Sequence, residues 1–262
     1  MDSNDSIAVV VPCFNEAGRL PAKTFLEYLA SNPAVTFYFV DDGSSDDTRI
    51  ILQSICEQAG TRAKLILQDE NEGKAVAVRN GMLEAVRGDY TYIAYWDADL
   101  STPLDELQHL LHALKQTGSD WVMGSRLKIL GCDINRHLHR HLAGRVFATF
   151  ASMVLALPVY DTQCGAKVFA NRGYLQALLR EPFISTWTFD VELLMRYMLL
   201  SRMMDRQYRV IEVPLSTWID IPGSKVTAWD FVSAIYSLWK IRLHYSADCV
   251  HEAYRETLPS TW

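Results

Sequence analysis

The segment Tyr92-Ile93-Ala94-Tyr95-Trp96-Asp97-Ala98-Asp99-Leu100-Ser101-Thr102-Pro103 joins an apolar, aromatic run to two carboxylates with one small residue between them. Tyr92 to Trp96 predicts a buried strand, and the abrupt change at Asp97 predicts its carboxyl end. From such an end Asp97 and Asp99 reach one oxygen-lined site. Hard cations such as Mg²⁺ take few protein carboxylates and complete their shell with substrate phosphate and water. The same residues also fit a strand stop followed by a helix cap, because Ser101, Thr102 and Pro103 open a helix well.

Working outward, the neighbouring segments repeat this pattern of apolar strand and polar turn. Ile7 to Val11 is an apolar strand candidate ending in Pro12-Cys13-Phe14-Asn15-Glu16, with a helix expected over Pro21–Ala30. Val35 to Val40 is a second buried strand, closed by Asp41-Asp42-Gly43-Ser44-Ser45-Asp46-Asp47-Thr48. One Asp or Ser of that turn caps the expected helix Thr48–Ala59, and the remaining acids exceed what a cap requires. Further strands are expected at Lys64–Leu67 and Trp121–Met123, with helices near Ala75–Val86 and Leu104–Gln116. The alternation predicts an α/β fold with a mostly parallel sheet covered on both faces. In such sheets ligands bind beyond the carboxyl ends of the strands, where the acidic turns lie. Gly73-Lys74 precedes a helix, so backbone N–H groups and an ammonium there suit a phosphate.

Composition narrows the class. The 262 residues are 49% hydrophobic and 21% charged, which is enough for one large domain. A net charge of −6 argues against a nucleic-acid partner. Cys13, Cys56, Cys132, Cys164 and Cys249 are odd in number and lack C-x-x-C spacing, which points to a reducing cytoplasm and to neither a disulfide framework nor zinc. No signal peptide is expected at the start, and no apolar run approaches the roughly 18 residues of a membrane span.

Val10-Val11-Pro12-Cys13-Phe14-Asn15-Glu16, Asp41-Asp42-Gly43-Ser44, Gly73-Lys74 and Asp97-Ala98-Asp99 together resemble the family 2 glycosyltransferases of GT-A fold, a single Rossmann-like domain. Gly124-Ser125-Arg126, Asp161-Thr162-Gln163-Cys164-Gly165-Ala166-Lys167, Thr188-Phe189-Asp190-Val191-Glu192 and Glu212-Val213-Pro214 follow in order, then Trp218 and Gly223-Ser224-Lys225. This second set is most similar to dolichyl-phosphate β-glucosyltransferases, with dolichyl-phosphate mannose synthases as near relatives. The resemblance implies an inverting, metal-dependent transfer of glucose from UDP-glucose to a polyprenyl phosphate. GDP-mannose as donor, or a soluble hydroxyl acceptor, is the alternative. It implies a nucleotide-sugar pocket of Pro12, Asn15, Glu16, Asp41, Asp42, Gly73, Lys74 and Asp97. Asp42 would face the ribose and Asp41 the base, while Asp99, with Asp97 beside it, would hold Mg²⁺ or Mn²⁺. The expected boundaries are a nucleotide-sugar half over 7–125, an acceptor half over 126–245 and a tail over 246–262.

A departing nucleoside diphosphate needs its charge neutralised, so Arg126 and Lys167 are expected as further cations. Asp190 is the candidate general base for a hydroxyl acceptor. A phosphate acceptor, with a second pKa of about 6, is already ionised and needs none. Asp190 and Glu192 also suit a helix start through the helix dipole. The basic run Arg126 to Arg145, with Arg136 and Arg140, leads into the apolar segment 146–157. It suits an acceptor with a phosphate head and hydrocarbon tail, for which Arg126, Arg136, Arg140, Gln163, Trp218 and Lys225 are the expected contacts. With the amphipathic, Trp- and Tyr-rich segment 227–245, it also predicts peripheral contact with the cytoplasmic face of a membrane. A catalytically silent binding module would not be expected to keep Asp97, Asp99, Arg126 and Lys167. The lack of G-x-G-x-x-G after the first strand argues against a Rossmann dehydrogenase.

Overall fold

A computed structural model describes residues 5–135, 138–221 and 228–246 of the chain, the side chains of 138–140 and 228–231 excepted. In chain order the elements are β1 (Ile7–Cys13), α1 (Ala22–Ser31), β2 (Val35–Asp42), α2 (Thr48–Ala59), β3 (Ala63–Gln68), α3 (Lys74–Val86), β4 (Tyr92–Trp96), α4 (Glu106–Thr117) and β5 (Trp121–Ser125). There follow β6 (Asp133–Asn135), α5 (Leu138–Leu155), β7 (Ala166–Ala170), α6 (Gly173–Leu179), α7 (Phe189–Met203), β8 (Val210–Pro214), β9 (Thr217–Ile219) and α8 (Ala228–Tyr245).

The main sheet has seven strands in the order β3-β2-β1-β4-β7-β5-β8. It is mostly parallel, as the sequence predicts, and β7 alone runs antiparallel, against both β4 and β5. Strand β1 shows why both faces must be covered. Ala8 and Val10 point into one core with α3, α5, α6, α7 and α8, while Ile7, Val9 and Val11 point into a second core with α1, α2 and α4. This period-2 alternation between two apolar layers is what a strand with no polar face requires. The chain-reversing turns at the carboxyl ends of β1, β2 and β4 therefore gather at one edge, which is the edge that carries the acidic motifs.

One expectation needs correction, and one strand is absent from the sequence reading. Helix α4 starts at Glu106, after an irregular turn in which Glu106 N–H bonds to the Pro103 carbonyl and Leu107 N–H to that of Leu104, so Ser101 and Thr102 do not cap it. The strand β7 falls on Ala166-Lys167-Val168-Phe169-Ala170, which a central lysine disguises, because lysine is rarely fully buried. Its register pairs Lys167 with Tyr95 and Ala166 with Trp96. The expected tail lies, beyond Ser246, outside the described residues.

Candidate active site

A cleft of about 500 Å³ opens at that edge, lined by Glu16 and Arg19 after β1, Asp42 at the end of β2, Asn71, Gly73 and Lys74 before α3, Asp97 and Asp99 after β4, and Thr186 and Trp187 before α7. Pro12 and Phe14 complete the β1 side. The two carboxylates of Asp97-Ala98-Asp99 are fixed by local bonds. Asp97 N–H donates to the Gly165 carbonyl at 3.0 Å, and Asp99 Oδ1 accepts from Ser101 N–H at 3.0 Å. Trp96 Nε1 donates to the Thr102 carbonyl at 2.7 Å, which pulls the following turn back over the strand end. The Asp97 and Asp99 side chains keep 34% and 19% of their surface exposed to the cleft.

Each of the two faces a cation. Lys74 Nζ lies 2.5 Å from Asp97 Oδ1, and Arg19 Nη1 lies 3.8 Å from Asp99 Oδ2. Burial by itself would lower the Lys74 pKa, but Asp97, with Asp190 behind it, holds it above the usual lysine value. Arg19, which sequence reading overlooks, is held mainly by Glu16, with Nη2 2.5 Å from Glu16 Oε1. Burial pushes the Glu16 carboxyl up in spite of that guanidinium. The i, i+3 spacing of Glu16 and Arg19 was the available signal for the pair.

The remaining residues of the expected nucleotide pocket divide between lining the cleft and holding its walls. Asp42 lines it, yet its oxygens also accept from Glu72 N–H at 2.9 Å, Gly73 N–H at 3.0 Å and Asn71 Nδ2 at 2.9 Å. Burial raises its pKa against those two backbone donors. The Gly73 N–H is thus taken by Asp42, and Lys74 is the group at this helix start that faces the cleft. Gly73 holds φ of 95°, a left-handed conformation that lets the loop turn under Asp42 into α3. Asp41 is fully buried behind the cleft, accepting from Arg49 Nε at 2.8 Å and Ser44 N–H at 3.2 Å. Asn15, at φ 52°, ties the two turns together by donating its N–H to Ser44 Oγ and accepting from Ser45 N–H.

Lys167 and Asp190, expected as diphosphate clamp and base, lie beneath the cleft and do not line it. Lys167 Nζ is fully buried, 2.9 Å from Asp190 Oδ1, and donates to Tyr95 Oη at 2.8 Å and the Cys164 carbonyl at 2.6 Å. Tyr95 Oη in turn donates to Asp190. Burial, reinforced by Asp190, pushes the Tyr95 hydroxyl well above its usual pKa. Glu192 is fully buried and also structural. It accepts from Arg196 Nη2 at 2.7 Å, Tyr245 Oη at 2.8 Å and Ile184 N–H at 2.8 Å. Those bonds hold the segment that presents Trp187, which is 44% exposed at the cleft wall and which no periodic signal marks in the sequence.

Arg126 sits away from the cleft lining. Its Nε and Nη2 form a bidentate pair with Asp161, each at 2.7 Å, and its guanidinium carbon lies 5.5 Å from the centre of the Trp218 ring. Burial opposes its charge, but Asp161 raises its pKa beyond the ordinary arginine range. Glu212 orders this corner by accepting from Tyr160 N–H and Asp161 N–H at 2.7 and 2.6 Å. Beside Asp161, the buried Gln163 Nε2 and Thr162 Oγ1 have no hydrogen-bond partner among the described residues. Arg136, Lys225 and the Arg140 side chain lie outside the described residues.

The family model for glycosyl transferase family 2 matches residues 8–182, which carry every strand end of the cleft. The chain belongs to glycosyl transferase family 2. It is 30% identical over 269 residues to the dolichyl-phosphate beta-glucosyltransferase of Saccharomyces cerevisiae, covering 93% of this chain and 76% of that protein. The corresponding enzyme of Drosophila melanogaster is 32% identical over 259 residues, covering 91% and 75%. Among solved structures, glucosyl-3-phosphoglycerate synthase of Mycobacterium tuberculosis, crystallised with Mn²⁺, UDP-glucose and phosphoglyceric acid, superposes with a TM-score of 0.65 at 17% identity, over 93% of this chain and 80% of that one. The fold is GT-A, and the protein is a nucleotide-sugar-dependent glycosyltransferase.

Asp97 and Asp99 present hard carboxylate oxygens to the cleft. Such donors fit Mg²⁺ or Mn²⁺, whose shell substrate phosphate and water would have to complete. Among the described residues no group of three or more His, Cys, Asp or Glu side chains is arranged to hold an ion alone. The donor set is therefore suited to an ion that arrives with phosphate. Gly165 is required beside it, since a Cβ there would stand 1.8 Å from Asp97 Oδ2. Gly165→Ala is expected to displace Asp97 and lower kcat/KM at least about a hundredfold. Initial rates measured beside a thermal melt separate this loss from unfolding.

Proposed function

We propose that this glycosyltransferase moves glucose from UDP-glucose to a polyprenyl phosphate, with inversion and with Mg²⁺ or Mn²⁺ held at Asp99 and Asp97. The observation that carries the reading is the place of Asp190. It is 3% exposed and bound by both Lys167 and Tyr95, which leaves it poorly placed to deprotonate a hydroxyl. A phosphate monoester needs no such base, because its second pKa is about 6. The relatives named above act on dolichyl phosphate, which supports the same acceptor class.

In this mechanism Lys74 and Arg19 face the diphosphate, Asp42 keeps the Asn71–Gly73 loop in place, and Asp97 adjoins the sugar. When bound, the cation neutralises charge developing on the departing nucleoside diphosphate. The acceptor phosphate approaches from the side of Arg126 and Trp218. Lys167, Tyr95 and Asp190 act from below as a rigid floor.

The acceptor's tail needs a lipid surface, and α5 and α8 provide one. Leu142, Val146 and Met153 on α5, and Tyr236, Trp239 and Leu243 on α8, are 47–69% exposed and recur at helical spacing. The two helices are tied by Arg242, which donates to the Val154 carbonyl at 2.5 Å, and Lys240 lies 4.7 Å over the Tyr236 ring. No helix among the described residues is long and apolar enough to cross a membrane. Contact along this face is the arrangement we propose, at the cytoplasmic side of a membrane.

The test offers labelled UDP-glucose and GDP-mannose separately, with polyprenyl phosphate in detergent and Mn²⁺ or Mg²⁺. Label entering the organic phase from UDP-glucose, and lost with a chelator, is the expected result. Label from GDP-mannose alone overturns the sugar, and transfer only to soluble hydroxyl compounds overturns the acceptor. In flotation with vesicles containing anionic phospholipid, Trp239→Ser with Leu243→Ser is expected to cut the bound fraction at least about fivefold while leaving the melting temperature unchanged.

A further inference from the structure

We propose that Arg19 is the resident counter-ion of Asp99 and makes divalent-cation binding depend on the nucleotide. The donor diphosphate draws the guanidinium off Asp99, and that carboxylate is then open to the ion. The inference rests on the metal-dependent reading above and adds an order of loading to it.

Three observations carry it. Asp99 Oδ1 is occupied by Ser101 N–H at 3.0 Å, so Oδ2 is the oxygen left for an ion, and Oδ2 is the atom that Arg19 Nη1 faces at 3.8 Å. Arg19 is anchored from its other side. Its Nε and Nη2 both bond to Glu16, and Glu16 is itself fixed by its N–H donating to Thr48 Oγ1 at 2.7 Å. The guanidinium therefore leans on Asp99 loosely from a firm base, and a small swing releases the carboxylate. Finally, Glu16, Asp42, Asp97 and Asp99 line the cleft against the cations Arg19 and Lys74, and no protein-only cage for an ion occurs among the described residues.

The electrostatics give the direction. While Arg19 lies beside Oδ2, an arriving dication meets a positive charge at close range and a carboxylate already partly neutralised. A diphosphate offers the same planar guanidinium a bidentate partner of higher charge. Once Arg19 leans toward it, Asp99 and the phosphate oxygens form one set of hard ligands. Nucleotide and ion are then positively coupled, and the coupling is reciprocal.

The experiment is Mn²⁺ titration of the purified protein, followed by the electron paramagnetic resonance signal of free Mn²⁺, with and without UDP. The wild type is expected to bind Mn²⁺ weakly alone and far more tightly with UDP. Arg19→Gln is expected to bind Mn²⁺ alone about tenfold more tightly than the wild type, with the UDP-dependent gain reduced correspondingly. Arg19→Lys keeps the charge and is expected to stay within about threefold of the wild type for Mn²⁺ alone. Both variants are compared at matched circular dichroism. UDP-dependent tightening in the wild type with unchanged Mn²⁺ affinity in Arg19→Gln overturns the role of Arg19 and leaves the metal reading standing. Absence of Mn²⁺ binding by the wild type even with UDP overturns the metal reading and this proposal together.

Discussion

Asp99→Asn is expected to lower kcat/KM for transfer by about a thousandfold while leaving the fold intact. The amide keeps an oxygen for Ser101 N–H, which Asp99 Oδ1 accepts at 3.0 Å, so the turn after β4 retains its local bond. What disappears is the negative charge at the oxygen that faces the cleft. Charge stabilisation by a bound cation contributes several kcal/mol to a transition state of this kind. A loss of about 4 kcal/mol corresponds to roughly three orders of magnitude. Initial rates over a Mn²⁺ series, beside a thermal melt, check the expectation. The variant should need far more Mn²⁺ and still fall short at saturation, with an unchanged melting temperature. Retention of more than a tenth of wild-type activity at ordinary Mn²⁺ would remove Asp99 from the chemistry.

Lys167→Met is expected to act on stability first. Met fills a comparable volume between β4 and β5, but among the described residues Asp190 then keeps only the Tyr95 hydroxyl, and the Cys164 carbonyl loses its Lys167 donor. Removing one partner of a buried ion pair costs about 3–5 kcal/mol, because the other charge stays buried without compensation. For a chain of this length that corresponds to a fall in melting temperature of about 10 °C. Adding Asp190→Asn in the same chain is expected to restore part of the loss, since it removes the orphaned charge. A phosphate clamp would behave in the opposite way, with donor affinity lost and the melting temperature kept. Denaturant unfolding beside UDP titration of the single and double variants distinguishes the two roles.

The double-variant comparison also bears on the acceptor. Lys167 and Tyr95 hold Asp190 from the sheet, and in the proposed mechanism an acceptor that brings its own negative oxygen would need nothing more from it. A hydroxyl acceptor would need a carboxylate open to the cleft, and there both open carboxylates already face cations, Lys74 at 2.5 Å and Arg19 at 3.8 Å.

Much of this protein is legible in its sequence because the signals are local. Apolar runs ending in Pro12, Asp41 and Asp97 mark β1, β2 and β4, and the helices between them follow from period and length. Once those strands are parallel neighbours, their carboxyl ends must meet, so Glu16, Asp42, Lys74, Asp97 and Asp99 share one cleft. The tertiary structure alone decided the antiparallel insertion of β7, the burial of Lys167 against Tyr95, and the pairing of Arg126 with Asp161 from 35 residues away. It also placed Arg19 beside Asp99 and Trp187 on the cleft wall. A local pattern records which residues prefer water and at what period. Whether a lysine deep in the chain faces a substrate or a buried carboxylate depends on which distant strand lies beside it, and that follows from how the whole sheet closes its two apolar layers.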